Sequence, residues 1–272
     1  MAATAPRVIV TRPEREAAQW VDQFTALGLA ATALPLIAIN PCNDPRALQA
    51  LANARARLTQ APGYRALMFV SSNAVAHFFG DSDPPTPSFF AAGTRAWAPG
   101  PGTARALEQV GVPSTAIDGP ASDAPQFDSE SLWQQVGSQL QAGDRVLIVR
   151  GRSAGVHESP QGAGRDWLAQ QVQAAGAQVD WVVAYERGAP LFTPAQKALA
   201  QAAAHDGSLW LLSSSEAVAH LAQALPGQSW ATAQALATHP RIAQTARAMG
   251  FGHVRECRPA LADVVASIES AP

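Results

Sequence analysis

A chain of 272 residues, 47% apolar and 15% charged, has enough material for two hydrophobic cores and is not composed like a disordered polymer. Its net charge of −2 and the lack of a long basic run exclude the electrostatic footprint of a nucleic-acid binder.

In chain order, residues 7–10 read as a buried strand turned by Thr11-Arg12-Pro13. A helix follows, with Glu14 and Glu16 in its first turn, where the macrodipole favours acids, and it stops at Gly28. Residues 30–39 read as one strand crossing Pro35, and Asp44-Pro45 caps a helix over 46–59. A strand at 64–70 feeds a helix through Ser71-Ser72-Asn73, and 81–88 is a Pro-rich loop. Next come a strand within 89–97, a helix over 103–110, a strand over 112–117 and a helix from Asp128/Ser129 to Leu140. The second half runs strand 145–149, a Gly/Ser/Pro-rich insertion over 153–164 read as a surface loop, helix 165–175 and strand 178–185. It ends with helix 194–204, strand 208–212, a helix from Ser215, strand 233–238, helix 240–249, strand 254–257 and helix 261–268. Strands alternating with helices predict parallel sheets covered on both faces, in flavodoxin-like lobes.

Three phrases recur. SSNAVAHF (71–78) returns as SSEAVAHL (214–221), RVIVTR (7–12) as RVLIVR (145–150), and GPGTARALEQVG (100–111) aligns with HPRIAQTARAMG (239–250). The pairs lie 143, 138 and 139 residues apart, in the same chain order, so the chain reads as two copies of one α/β half-unit.

Ligands of open parallel sheets bind outside the carboxyl ends of the strands, and the recurring phrases all fall there. Arg12, Ser71, Ser72, Asn73, Gly102, Thr103, Arg150, Ser214 and Ser215 offer hydroxyls, helix N-termini and guanidinium groups suited to carboxylates or phosphates. The bland reading makes the serines N-caps only. Gly100-Pro101-Gly102 is no dinucleotide turn, since Arg105 stands where the third glycine belongs and Pro101 lacks a donor. His77 and His220 occupy equivalent helix positions and read as packing or surface residues, while Trp20, Trp133 and Trp167 read as core. Cys42 and Cys257 have no metal or redox spacing and read as buried or idle thiols in a reducing compartment. Residues 1–6 do not resemble a secretory signal and no stretch spans a bilayer, which leads to a cytoplasmic protein with no membrane partner.

The ordered set of phrases resembles the uroporphyrinogen-III synthase family. The residues that carry the resemblance are Thr11-Arg12-Pro13, Phe69-Val70-Ser71-Ser72-Asn73-Ala74-Val75, Pro101-Gly102-Thr103-Ala104, Ser129-Glu130-Ser131-Leu132, Leu147-Ile148-Val149-Arg150-Gly151, Tyr185-Glu186-Arg187 and Arg241-Ile242-Ala243. The resemblance implies two lobes joined by a two-segment β-ladder linker: 1–36 with 186–272, and 40–181, with connectors at 34–40 and 182–187. It implies a monomeric lyase that cyclises hydroxymethylbilane to uroporphyrinogen III in the cleft between lobes, with loss of water, inversion of the last ring and no metal or organic cofactor. Tyr185 matches the family's Tyr-x-Arg and is implied to assist departure of the hydroxyl, while Ser71, Asn73, Thr103 and Ser214 would bind propionate and acetate groups. Two departures stand out: Val70 where the family often has Thr, and Arg241-Ile242 where some members have Thr-Thr. The alternative from another class is a non-catalytic, two-lobed protein that binds small anions at the same helix N-termini.

Overall fold

The structure, a computed structural model, describes residues 6–60, 63–80, 93–121, 127–153 and 167–270. In chain order its strands are β1 (Val8–Val10), β2 (Ala31–Ala33), β3 (Ala38–Pro41), β4 (Ala66–Phe69), β5 (Arg95–Trp97), β6 (Ile117–Asp118), β7 (Arg145–Ser153), β8 (Gln178–Gly188), β9 (Leu209–Leu212), β10 (Gln234–Ala237) and β11 (His253–Glu256). The described helices are α1 (Glu14–Ala26), α2 (Pro45–Arg57), α3 (Ser72–Phe79), α4 (Pro101–Gln109), α5 (Ser129–Val136), α6 (Trp167–Ala174), α7 (Pro194–Ala203), α8 (Ser215–Ala224), α9 (Pro240–Met249) and α10 (Leu261–Glu269). The chain forms two compact units, Met1–Ile39 with Gly188–Pro272, and Asn40–Arg187.

The first unit holds a five-stranded sheet in the order β2-β1-β9-β10-β11, every pairing parallel. Counted within the unit this is 2-1-3-4-5, the flavodoxin-like order. The central strands are apolar throughout, Val8–Val10 and Leu209–Leu212 having every residue buried, as a sheet covered on both faces requires. On one face Trp210 meets Trp230 and Phe251 edge-on at centroid distances of 5.3 and 6.1 Å, while Trp230 and Phe251 stack at 5.1 Å. Such aromatic pairs add ~0.5–1.5 kcal/mol beyond the area they bury.

The second unit carries the six-stranded order β3-β8-β7-β4-β5-β6. If β7 is counted first, β8-β7-β4-β5-β6 is again 2-1-3-4-5, so the two sheets are one design entered at different strands. All four pairings from β8 to β6 are parallel. β3 lies beside β8 at the sheet's end, which makes neighbours of the two segments in which the chain passes between units. The repeated phrases therefore mark equivalent positions: β1 corresponds to β7, β9 to β4, and α8 to α3. Phe69, Phe78 and Phe79 form this unit's aromatic group, at 5.2–5.7 Å between ring centroids.

Four expectations need correction. The single strand expected over 30–39 is two strands in different sheets: Pro35 has no N–H to give to a ladder, and the chain bends there with Leu34 and Leu36 fully buried. The strand expected over 112–117 is mostly a 3-10 turn, Ser114–Ala116, after Pro113, with Ile117–Asp118 alone pairing. Helix α5 tightens into a 3-10 turn over Gly137–Gln139 before Leu140. Trp20, Trp133 and Trp167 are half buried at the edges of the cores, while Trp97 and Trp210 occupy their centres. The expected loop at 81–88 and nearly all of the 153–164 insertion lie outside the described residues.

Candidate active site

In a 2-1-3-4-5 sheet the strand order reverses between the first and third strands, and the crevice at their carboxyl ends is where ligands bind. In the second unit these strands are β7 and β4, and β4 ends at Phe69 and leads into Val70-Ser71. Arg150-Gly151 lie level with that end on β7, which runs on to Ser153 instead of stopping at the expected Val149 because its ladder with β8 continues that far. In the first unit they are β1 and β9, ending in Thr11-Arg12 and Ser213-Ser214. The buried Thr11 hydroxyl donates to the Leu211 carbonyl at 2.6 Å and ties these two tips together.

The second unit's switch point has the richer geometry. Ser71 adopts extended backbone and caps α3, its Oγ accepting from the Ala74 N–H at 3.2 Å. The same Oγ lies 3.0 Å from the Tyr185 hydroxyl, and either oxygen can donate. Tyr185 stands on β8, next to β7, and is 4% exposed. Its position depends on an irregularity: Arg150 pairs with Val183, but Gly151 pairs with Tyr185, so Ala184 is an extra residue on β8. The bulge breaks the alternation of faces, and both Ala184 and Tyr185 are buried. Gly151 then has to be glycine, because a Cβ there would overlap the Tyr185 ring, standing 2.9 Å from Cδ2 and nearer still to Cε2 and Cζ. The ring also stacks with the imidazole of His77 at 5.6 Å and an interplanar angle of 27°.

The remaining candidates lie on or just after strands of both units. Asn73 and Thr103 are buried and Ser72 is half buried, in the first turns of α3 and α4, two helices that pack together. Gly102 is exposed with open space where a Cβ would go. Arg150 lays its guanidinium over the Trp181 ring at 4.6 Å. In the first unit Arg12 does the same with Trp20 at 4.5 Å and also meets Glu16 at 3.3 Å. Ser214 caps α8 through the Ala217 N–H at 3.4 Å, and the Ser215 hydroxyl is buried with no hydrogen-bond partner among the described residues. The structure thus brings Ser71 and Tyr185 into contact and puts Arg150 within β7, one residue past the partner of Phe69, where β4 ends and leads into Ser71 and Ser72. Arg12, Ser214 and Ser215 belong to the first unit.

Sequence reasoning missed an ionic cluster on the second unit. The Arg152 guanidinium bridges Asp44 at 2.8 Å and Glu186 at 2.6 Å, and the Cys42 thiol donates to Glu186 at 3.5 Å. Hydrogen bonding from Arg152 holds the Asp44 carboxyl below its ordinary range, and burial pushes the Cys42 thiol up. Asp44 and Arg152 are 108 residues apart in sequence, and the only local signal is Asp44-Pro45 as a helix cap. Among the described residues no three His, Cys, Asp or Glu side chains are grouped so as to hold a metal ion.

A sequence model of the uroporphyrinogen-III synthase HemD family matches residues 18–266. The chain belongs to the uroporphyrinogen-III synthase family. Its fold is similar to that of uroporphyrinogen-III synthetase from Helicobacter pylori, with a TM-score of 0.56 at 13% identity over 97% of this chain and 99% of that one. A mutant uroporphyrinogen III synthase from Thermus thermophilus aligns over 97% of this chain and 98% of that one, at 17% identity and a TM-score of 0.47. The family's members are lyases of tetrapyrrole biosynthesis that convert hydroxymethylbilane to uroporphyrinogen III, so membership favours an enzyme over the anion-binding alternative. Among the described residues no helix is long and apolar enough to cross a membrane.

Proposed function

We propose that this synthase uses the Tyr185 hydroxyl, with Ser71, to help the terminal hydroxyl of hydroxymethylbilane leave. The Tyr185 proton passes to the departing oxygen as the carbon–oxygen bond breaks, so that water leaves and a delocalised azafulvenium-like cation remains. The far ring then attacks that carbon through its own substituted position, forming the spiro intermediate from which the inverted ring arises. The observation that supports this reading is the 3.0 Å contact between Tyr185 and Ser71 at the strand-order switch point. Burial of Tyr185 keeps competing water from its ring, and a general acid contributes typically ~10²–10⁴-fold to a rate.

In the same reading, the first turns of α3 and α4, with Ser72, Asn73, Gly102 and Thr103, hold acetate and propionate groups, which suits carboxylates at helix N-termini. Arg150 adds charge, its guanidinium held in plane by Trp181. Arg12, Ser214 and Ser215 take the same role on the first unit's strand tips. Holding the chain curled supplies most of the advantage, since orienting an intramolecular reaction is worth ~7–11 kcal/mol. A monomer working in the cytoplasm is part of the proposal, and the two free thiols, Cys42 and Cys257, suit a reducing compartment. The test is Tyr185→Phe: kcat should fall by ~10²–10⁴-fold with the substrate still bound. Full turnover by that variant would remove Tyr185 from the acid role.

A further inference from the structure

We infer that His77 is a positioning residue for Tyr185, clamping the phenol ring against the bare backbone of Gly151 so that its hydroxyl meets Ser71. This rests on the reading of Tyr185 as the acid. Three walls hold the ring. The first is Gly151, where the absence of a side chain lets β7 approach the ring. The second is the imidazole of His77, near-parallel to the phenol at 5.6 Å, within the range where offset stacking is favourable. The third is the Ser71 hydroxyl at the ring's polar end.

Ser71 and His77 both belong to α3 and its cap, and their spacing is set by the helix. Ser71 caps it, and His77, six residues on, reaches the same ring from its second turn. One helix therefore fixes the hydroxyl's partner and the ring's tilt together. Helix α3 is itself anchored, since Arg55 from α2 donates to the carbonyls of His77 (3.1 Å) and Phe78 (2.8 Å). Fixing two torsions of a tyrosine in advance removes motion that would otherwise be lost on reaching the transition state.

The equivalent histidine shows that this arrangement is not a general consequence of the repeat. His220 sits at the same place in α8, but its Nδ1 donates to the Leu36 carbonyl at 2.8 Å, and both tyrosines of the chain, Tyr64 and Tyr185, lie in the other unit. The two copies keep one residue type and use it differently: a backbone tie in the first unit, a ring clamp in the second.

Two substitutions and one spectroscopic readout test the inference. His77→Phe preserves a flat ring and should keep kcat within about threefold, whereas His77→Ala should lower it by roughly 10–100-fold with KM little changed. Tyrosine occurs only at Tyr64 and Tyr185, so protein labelled with 3-fluorotyrosine gives two ¹⁹F resonances, assignable through Tyr64→Phe. His77→Ala should shift and broaden the Tyr185 resonance and leave that of Tyr64 in place, while His77→Phe should keep it narrow. An unmoved Tyr185 resonance in His77→Ala would overturn the clamp. So would equal loss of kcat in both His77 variants, which would give the imidazole a proton-carrying rather than a packing role. If Tyr185→Phe keeps full turnover, the acid reading fails by itself, while the ¹⁹F spectra still decide whether His77 holds the ring.

Discussion

Replacing Gly151 by Ala is the most informative single-atom perturbation of the site. The added methyl would overlap Cε2 and Cζ of Tyr185, where ordinary contact begins near 3.4 Å. The β7 strand is laddered to β8 on one side and β4 on the other, so the ring, held by side-chain contacts with His77 and Ser71, gives way before the strand does. A retreat of about 1 Å relieves the overlap, and it carries the hydroxyl to about 4 Å from Ser71 Oγ, beyond the ~2.5–3.0 Å of an O–H···O bond. A displacement of that size can cost ~10²-fold in rate, equivalent to ~2.7 kcal/mol of transition-state stabilisation. Overpacking should lower stability by ~1–3 kcal/mol, little enough for the fold to survive. Steady-state kinetics beside thermal unfolding separate the two effects: kcat should drop about 100-fold in protein that still unfolds cooperatively. A folded Gly151→Ala enzyme with wild-type kcat would refute the reasoning, because the ring would then not need the space that glycine leaves.

Two further outcomes follow from the charges. In Arg152→Met, Glu186 loses its charged partner and keeps the Cys42 thiol; with side chains 26% and 21% exposed the pair lies between a surface and a buried one, so stability should fall by ~1–2 kcal/mol in denaturant melts at pH 7. Arg152 depresses the Asp44 carboxyl, a contribution present above the ordinary value of 3.8 and lost as pH falls below it, so the gap between variant and wild type should narrow in acid; a gap constant from pH 7 to 3 would count against the cluster. Burial, aided by Asp180 at 3.0 Å, pushes the Tyr64 phenol up to about 12 from 10.0, so its contribution is complete below pH 10 and lost as pH rises toward 12. Tyr64→Phe, which cannot ionise, should lose less melting temperature than wild type between about pH 9 and pH 11, and parallel losses would contradict the assignment.

How much of this was legible in the sequence depended on how local each feature is. The serine caps of α3 and α8 were, because a hydroxyl before a helix acts on N–H groups three residues away. The duplication was legible too, since RVIVTR and RVLIVR keep the same buried-strand pattern, and the strand order of each sheet then follows the same 2-1-3-4-5 plan. Pro35 was visible, but composition alone does not say that the strands on either side of it join different sheets. The site was the least accessible part. Ser71 and Tyr185 are 114 residues apart, and their contact depends on one extra residue in β8 that changes which side chain faces Gly151. No periodicity announces such a bulge, and the clamp by His77 and the Arg152 cluster are hidden for the same reason.

The most direct measurement is of product identity. Purified protein is incubated with hydroxymethylbilane and the uroporphyrinogen isomers are separated chromatographically after oxidation. Synthase activity predicts the type III isomer in excess, formed faster than spontaneous ring closure and in proportion to enzyme. Type I alone, at the rate seen without protein, would contradict it.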